Sequence, residues 1–207
     1  MDGRQARGEH TRIRILETAA LAFAEHGYDG TSLNAIVRAS GLTKGAFYHH
    51  FASKEELALA TFRREQLRLV EGVVAAATTA GDAVDTLEVL LRERARILRS
   101  DRATRAVLTL GADFRAHATV GSTFSAFQET AIDLFADLLR RGQEEGVVRG
   151  DVDPRAGAEL VFAAIVGMDD VSRFLSDLTD LESRTEALLD LLVRGLGTPR
   201  TNRLEGS

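Results

Sequence analysis

Apolar residues recur along this chain at spacings of three and four, the pattern of helices with one buried face. Ile13, Leu16, Ala19, Ala20 and Phe23 make such a stripe and predict a helix over about 11–26 that stops at Gly27. Residues 1–10 are polar and are expected to form a mobile arm. After Tyr28-Asp29-Gly30, Thr31 or Ser32 can cap a short second helix carrying Leu33, Ile36 and Val37. Gly41 breaks that helix, and Thr43 caps a third from Lys44 to about His50. Ser53 and Glu56 have capping-box spacing and open a fourth helix that runs from Lys54 to about Thr79. Further helices are expected near 83–99, 102–112, 123–145, 154–176 and 181–196. Asp153-Pro154 signals the start of the eighth, a capping box of Thr179 and Glu182 the start of the ninth. Gly195 and Gly197 end the ninth, and the tail from Thr198 should fray. No segment alternates with period two, so the reading is all-α, with about nine helices.

Composition narrows this further. The chain has no Cys, which removes disulfides and thiolate metal sites. No apolar run is long enough to cross a membrane, and the polar start carries no signal segment, so the expected location is the cytoplasm. The net charge of −5 is unevenly placed: residues 1–54 carry seven basic and five acidic residues, and the rest is acidic. A mildly basic head on an acidic body suits a small nucleic-acid-binding module on a larger domain. No phosphate-cradling loop, nucleophile elbow or His-Glu-x-x-His run is present, so no catalytic residue, metal or cofactor is expected. Asp169-Asp170 lies on a helix, where adjacent side chains diverge, and reads as a solvated or helix-end pair.

The segment Thr31 to Lys54 holds two short helices around a tight turn at Ser40-Gly41-Leu42. That is the sequence form of a helix-turn-helix whose second helix enters the major groove. Leu33, Ile36, Val37, Leu42 and Phe47 can pack it; Phe47 and Phe51 are expected in the core. The remaining residues suit DNA. Lys44 can donate to guanine or to phosphate, and Gly45 lets the backbone approach. Tyr48 and His49 can reach phosphates or base edges, Thr31 and Thr43 place hydroxyls at helix N-termini, and Lys54 opens the next helix. Arg12 and Arg14 read equally as a solvated face or as backbone contacts. The runs FAEHGYDGTSL (Phe23–Leu33) and GLTKGAFYHHFASKEEL (Gly41–Leu57) resemble the DNA-binding domain of the TetR family over residues of about 11–60. The resemblance implies an arm and DNA-binding domain over 1–54 and a helical ligand-binding and dimerisation domain over 55–207.

It also implies a homodimer, a palindromic double-stranded operator and a small hydrophobic effector that releases the repressor. The last two helices of each chain would form the dimer interface, here with Phe162, Val166, Phe174, Leu188 and Leu192. An effector cavity is expected from Leu91, Leu110, Phe114, Phe124, Phe127 and Phe162, although an apolar residue of this kind is more often plain core than a ligand contact. The head is also similar to that of actinobacterial γ-butyrolactone receptors. Those carry a Trp on the cavity-lining helix; this chain has none, and Phe127 falls at that place. The effector is therefore expected to be a γ-butyrolactone-like signal or an antibiotic-related molecule. The alternative is a helical ligand-binding or interaction protein without specific DNA binding.

Overall fold

The computed structural model describes the backbone of residues 3–116 and 118–198, and the side chains of 6–114 and 126–198. These residues form α1 (Gly3–Gly30), α2 (Leu33–Ala39), α3 (Lys44–Tyr48), α4 (Lys54–Ala77), α5 (Ala83–Ser100), α6 (Ala106–Ala116), α7 (Ala118–Glu144), α8 (Pro154–Ser176) and α9 (Leu181–Leu196). No strand occurs among them, only an isolated bridge between Val148 and Gly197.

Local chemistry sets most boundaries. Asp153 caps α8 by accepting the Ala156 N–H at 2.8 Å, and Pro154 fills the first helical position. Ser53 Oγ accepts the Glu56 N–H at 3.0 Å, while the Glu56 carboxylate reaches past Ser53 to the Ala52 N–H at 2.8 Å. Several expectations are corrected, among them the start of α7, which is Ala118 rather than about 123. The segment 3–10 is helical rather than a loose arm: it holds no proline, and a polar segment has no apolar stripe to reveal a helix. Helix α6 starts at Ala106 rather than near 102, because Asp101 Oδ1 takes the N–H groups of Ala103 and Thr104 and holds a turn there. The Thr179–Glu182 box does not form: Thr179 donates to the Ser176 carbonyl, and Asp180 occupies the cap. Thr198 is held, its N–H on the Val147 carbonyl and its hydroxyl on that of Gly146; residues 199–207 lie outside the described residues.

The chain divides into two compact units, residues 1–72 with 96–126, and residues 73–95 with 127–207. In the first, α1 packs along α6 and against α2. Ile15, Phe23, Ile36, Phe47, Phe51, Leu57, Leu110 and Phe114 are buried there almost completely. Burying each such side chain stabilises the fold by about 1.5–3 kcal/mol. In the second unit, Leu87, Leu91, Val161, Ile165 and Leu189 form a core that Phe135, Leu138, Leu188, Leu192 and Leu196 cover. The same unit holds an interior ion pair: Arg94 on α5 donates from both terminal guanidinium nitrogens to buried Asp169 on α8, with Nη1 2.9 Å from Oδ1. Asp169 is thus an interior ion-pair partner, not the solvated or helix-end residue expected.

Candidate nucleic-acid interface

The interface is built on α2, α3 and the turn between them. Gly41 sits at φ +67°, a left-handed conformation that a Cβ would oppose, and so reverses the chain within two residues. Thr43 begins α3 in extended conformation, and its Oγ1 accepts the Ala46 N–H at 3.3 Å. The inner side of α3 is Phe47, which has no exposed surface and meets the Phe51 ring at 6.4 Å. The helix is only five residues long, so this anchor fixes its rotation. Thr43, Lys44, Gly45, Ala46, Tyr48 and His49 are then all exposed. A Cβ at Gly45 would meet nothing within 4 Å, so internal packing does not require a glycine there. The arrangement offers one ammonium, two hydroxyls and an imidazole beside the bare backbone of Gly45, a donor-rich surface suited to a nucleic acid.

Two cations beside α3 are held over aromatic faces. Lys54 Nζ lies 4.4 Å from the Tyr28 ring centroid, and the Arg12 guanidinium carbon 5.1 Å from that of Phe51. Burial raises the Tyr28 phenol pKa above its usual value, with Glu55 and Asp29 adding to the effect, so the ring stays neutral.

Five expected DNA residues, Thr43, Lys44, Gly45, Tyr48 and His49, therefore come together, with Lys54 at the start of the next helix. Thr31 does not join them. It is buried, and its hydroxyl donates inward to the carbonyls of Gly27 at 2.6 Å and Ala22 at 3.2 Å. Its β-hydroxyl satisfies the break at Gly27, whose φ of +69° leaves α1 carbonyls without helical partners. Tyr28 was not singled out as a functional residue, although an aromatic directly after the helix-ending glycine was a usable signal. Asp113, which accepts the Tyr28 N–H at 2.6 Å, is 85 positions away and gave none.

The expected effector residues divide between the two units. Leu110 and Phe114 belong to the core of the first unit, where the Phe114 ring meets those of Tyr28 and Phe62 at 6.1 and 5.9 Å. Leu91 is in the core of the second unit, and Phe127 and Phe162 are half-buried there. The side chain of Phe124 lies outside the described residues. An apolar cleft in the second unit, between Leu87, Phe135, Val161 and Leu192, has about 10 Å³ of free space, room for one water. Of the expected interface residues, Phe174 is 86% exposed, while Phe162 and Val166 are half-buried. Leu188 and Leu192 are also half-buried and pack on the core of their own unit. Leu160, Leu175 and Leu191, each more than 65% exposed, stand on the outer faces of α8 and α9. No helix among the described residues is long and apolar enough to cross a membrane.

Comparison with known proteins places these features in a lineage. Residues 15–61 match the family described as bacterial regulatory proteins, tetR family, and residues 86–198 match the C-terminal domain of SbtR-like transcriptional regulators. The chain is 30% identical over 199 residues to the A-factor receptor protein of Streptomyces griseus, covering 95% of this chain and 67% of that one. It is 28% identical to a solved TetR regulator, tylp of Streptomyces fradiae, with a TM-score of 0.73 over 93% of this chain and 89% of that one. A TetR regulator of Chloroflexus aurantiacus is 26% identical, with a TM-score of 0.80 over 94% of this chain and all of its own. An all-α chain with a helix-turn-helix at its head, matched along both its head and its body, belongs to the TetR family of DNA-binding transcriptional regulators.

Proposed function

We propose that the protein is a cytoplasmic, dimeric repressor that a small hydrophobic ligand releases from a palindromic operator. The observation that carries this is the exposed surface of α3, where Lys44, Gly45, Tyr48 and His49 stand out on a helix whose rotation Phe47 fixes. In this reading residues 1–54 bind DNA, with Thr43 and Lys54 also reaching phosphates, and residues 55–207 bind the effector and the second protomer. The bare apolar faces of α8 and α9, with Leu160, Phe174, Leu175 and Leu191, support pairing with a second copy. A two-fold dimer presents two α3 helices to successive major grooves, about 34–36 Å apart.

The similarity to the A-factor receptor supports a γ-butyrolactone-like effector. The absence of Trp from this chain, with Phe127 at the place of the receptors' indole, supports a ligand recognised by an aromatic wall without an indole donor. An antibiotic-related molecule with an apolar body fits that requirement equally. Effector and operator oppose each other, so each weakens the other's binding by the same factor. Titrating γ-butyrolactones and antibiotics onto the protein bound to its own upstream DNA tests this. Release by one compound, with that compound binding the free protein more tightly than the complex, is the expected result. Equal affinity for free and bound protein would rule the mechanism out.

A further inference from the structure

Tyr28 stands at a junction in the first unit. It follows the break in α1 at Gly27 and is pinned from several sides. Its N–H donates to Asp113 Oδ2 on α6 at 2.6 Å. Its ring stacks on Phe23, with centroids 6.3 Å apart and planes 19° from parallel, and meets the edge of Phe114 at 6.1 Å. Phe23 and Phe114 are buried completely, so the ring has little freedom. Lys54, the first residue of α4, places its ammonium over this ring at 4.4 Å.

A lysine side chain has four rotatable bonds, and fixing them when it meets a phosphate costs conformational entropy. A rigid aromatic face under the ammonium pre-pays part of that cost. The attraction uses the ring quadrupole and leaves the ammonium N–H donors for an anion. We propose that Tyr28 is a positioning residue for DNA binding: its ring holds the Lys54 ammonium ready for a backbone phosphate, and Asp113 fixes Tyr28 from α6. The inference rests on the reading that Lys54 contacts DNA. Because Asp113 and Phe114 come from α6, the readiness of a lysine at the DNA-binding head depends on a helix more than 50 residues further along the chain.

The test is operator binding by the full-length protein over a series of salt concentrations, with thermal melting of each variant alongside. Lys54→Ala should lower the magnitude of the slope of log affinity on log salt by about one, the loss of one phosphate contact. Tyr28→Phe should bind as wild type does. The same position carrying pentafluorophenylalanine keeps the ring's shape but reverses its quadrupole. It should bind about two- to fivefold more weakly than Tyr28→Phe, and equally weakly once Lys54→Ala is added. Asp113→Ala should weaken binding in the same Lys54-dependent way, and Asp113→Asn, which keeps an acceptor, should restore it. Unchanged affinity with the fluorinated ring, while Lys54→Ala loses a phosphate, would overturn the positioning role alone. An unchanged salt slope in Lys54→Ala would overturn the reading beneath it as well.

Discussion

Arg68 donates to Glu65 one turn before it on α4, Nη1 to Oε2 at 2.7 Å, and Glu65 has no exposed surface. Arg64 holds the other carboxylate oxygen at 2.6 Å. The two arginines reach onward, Arg64 to Glu17 on α1 at 2.9 Å and Arg68 to Asp101 before α6 at 2.8 Å. A buried carboxylate persists only when paired and hydrogen-bonded, and here one charge ties α4 to two other segments. Glu65→Leu should destabilise the protein by about 2–4 kcal/mol, toward the lower end of the cost of breaking a buried pair because both arginines keep a second partner and some water. Urea denaturation read by circular dichroism checks this, and a loss below about 0.5 kcal/mol, the range of ordinary surface changes, would contradict it.

Asp180 gives the α8–α9 turn a pH dependence. The Ser172 and Ser176 hydroxyls donate to its Oδ1 at 2.5 and 2.6 Å, and Arg184 Nε to its Oδ2 at 2.7 Å. These bonds, that of Ser172 first, lower its pKa to about 2. A carboxylate with a depressed folded pKa contributes stability that is complete above its unfolded value, about 3.9, and is lost as pH falls through the folded one. Between about pH 4 and pH 2 the wild type should therefore lose stability more steeply than Asp180→Asn. Denaturant midpoints measured across that interval check it; parallel curves would show that Asp180 carries no such linkage.

Phe174 is the most exposed large apolar residue on α8. Phe174→Glu should leave the melting temperature of a protomer almost unchanged, because it removes no internal packing. It should turn a dimer into monomers in sedimentation and abolish tight operator binding. Leu189→Ala, in contrast, empties a core site and should cost about 2–5 kcal/mol whatever the oligomeric state. If Phe174→Glu remained dimeric, the α8–α9 face would not be the interface.

Gly142, near the end of α7, is a packing glycine. A methyl group there would overlap Val148 Cγ2 and sit 3.1 Å from the Ala83 Cβ. Its carbonyl accepts the N–H groups of Val147 and Val148 at 2.9 Å, so the backbone has little room to yield. Gly142→Ala should destabilise by about 1–3 kcal/mol through overpacking, despite the better helix propensity of alanine. A thermal melt unchanged or raised would refute the packing argument.

Much of this architecture was legible because its causes are local. Gly41 turns the chain, Thr43 and Asp153 cap the helices that follow them, and Phe47 is the apolar residue opposite an exposed polar run. Each is decided within about four residues, the range over which spacing and capping act. Whatever depends on distant segments escaped. Thr31 has the spacing of a cap but spends its hydroxyl on carbonyls of α1. Leu188 and Leu191 are equally apolar, yet one covers a core and the other faces out, and only the packing of α9 on its neighbours distinguishes them. Phe114 has the apolar character of either a cavity wall or plain core, and its packing against Tyr28 could not be read from periodicity, which reports apolar character and not what lies opposite.

Whether α3 reads DNA through its exposed face is decided by the operator affinity of wild type and Lys44→Ala on the chain's own upstream DNA at several salt concentrations. Binding should be specific and fall steeply with salt, and Lys44→Ala should weaken it about 10- to 100-fold with an unchanged thermal melt. Equal binding by the two proteins, or no preference for upstream DNA over random sequence, would contradict that role.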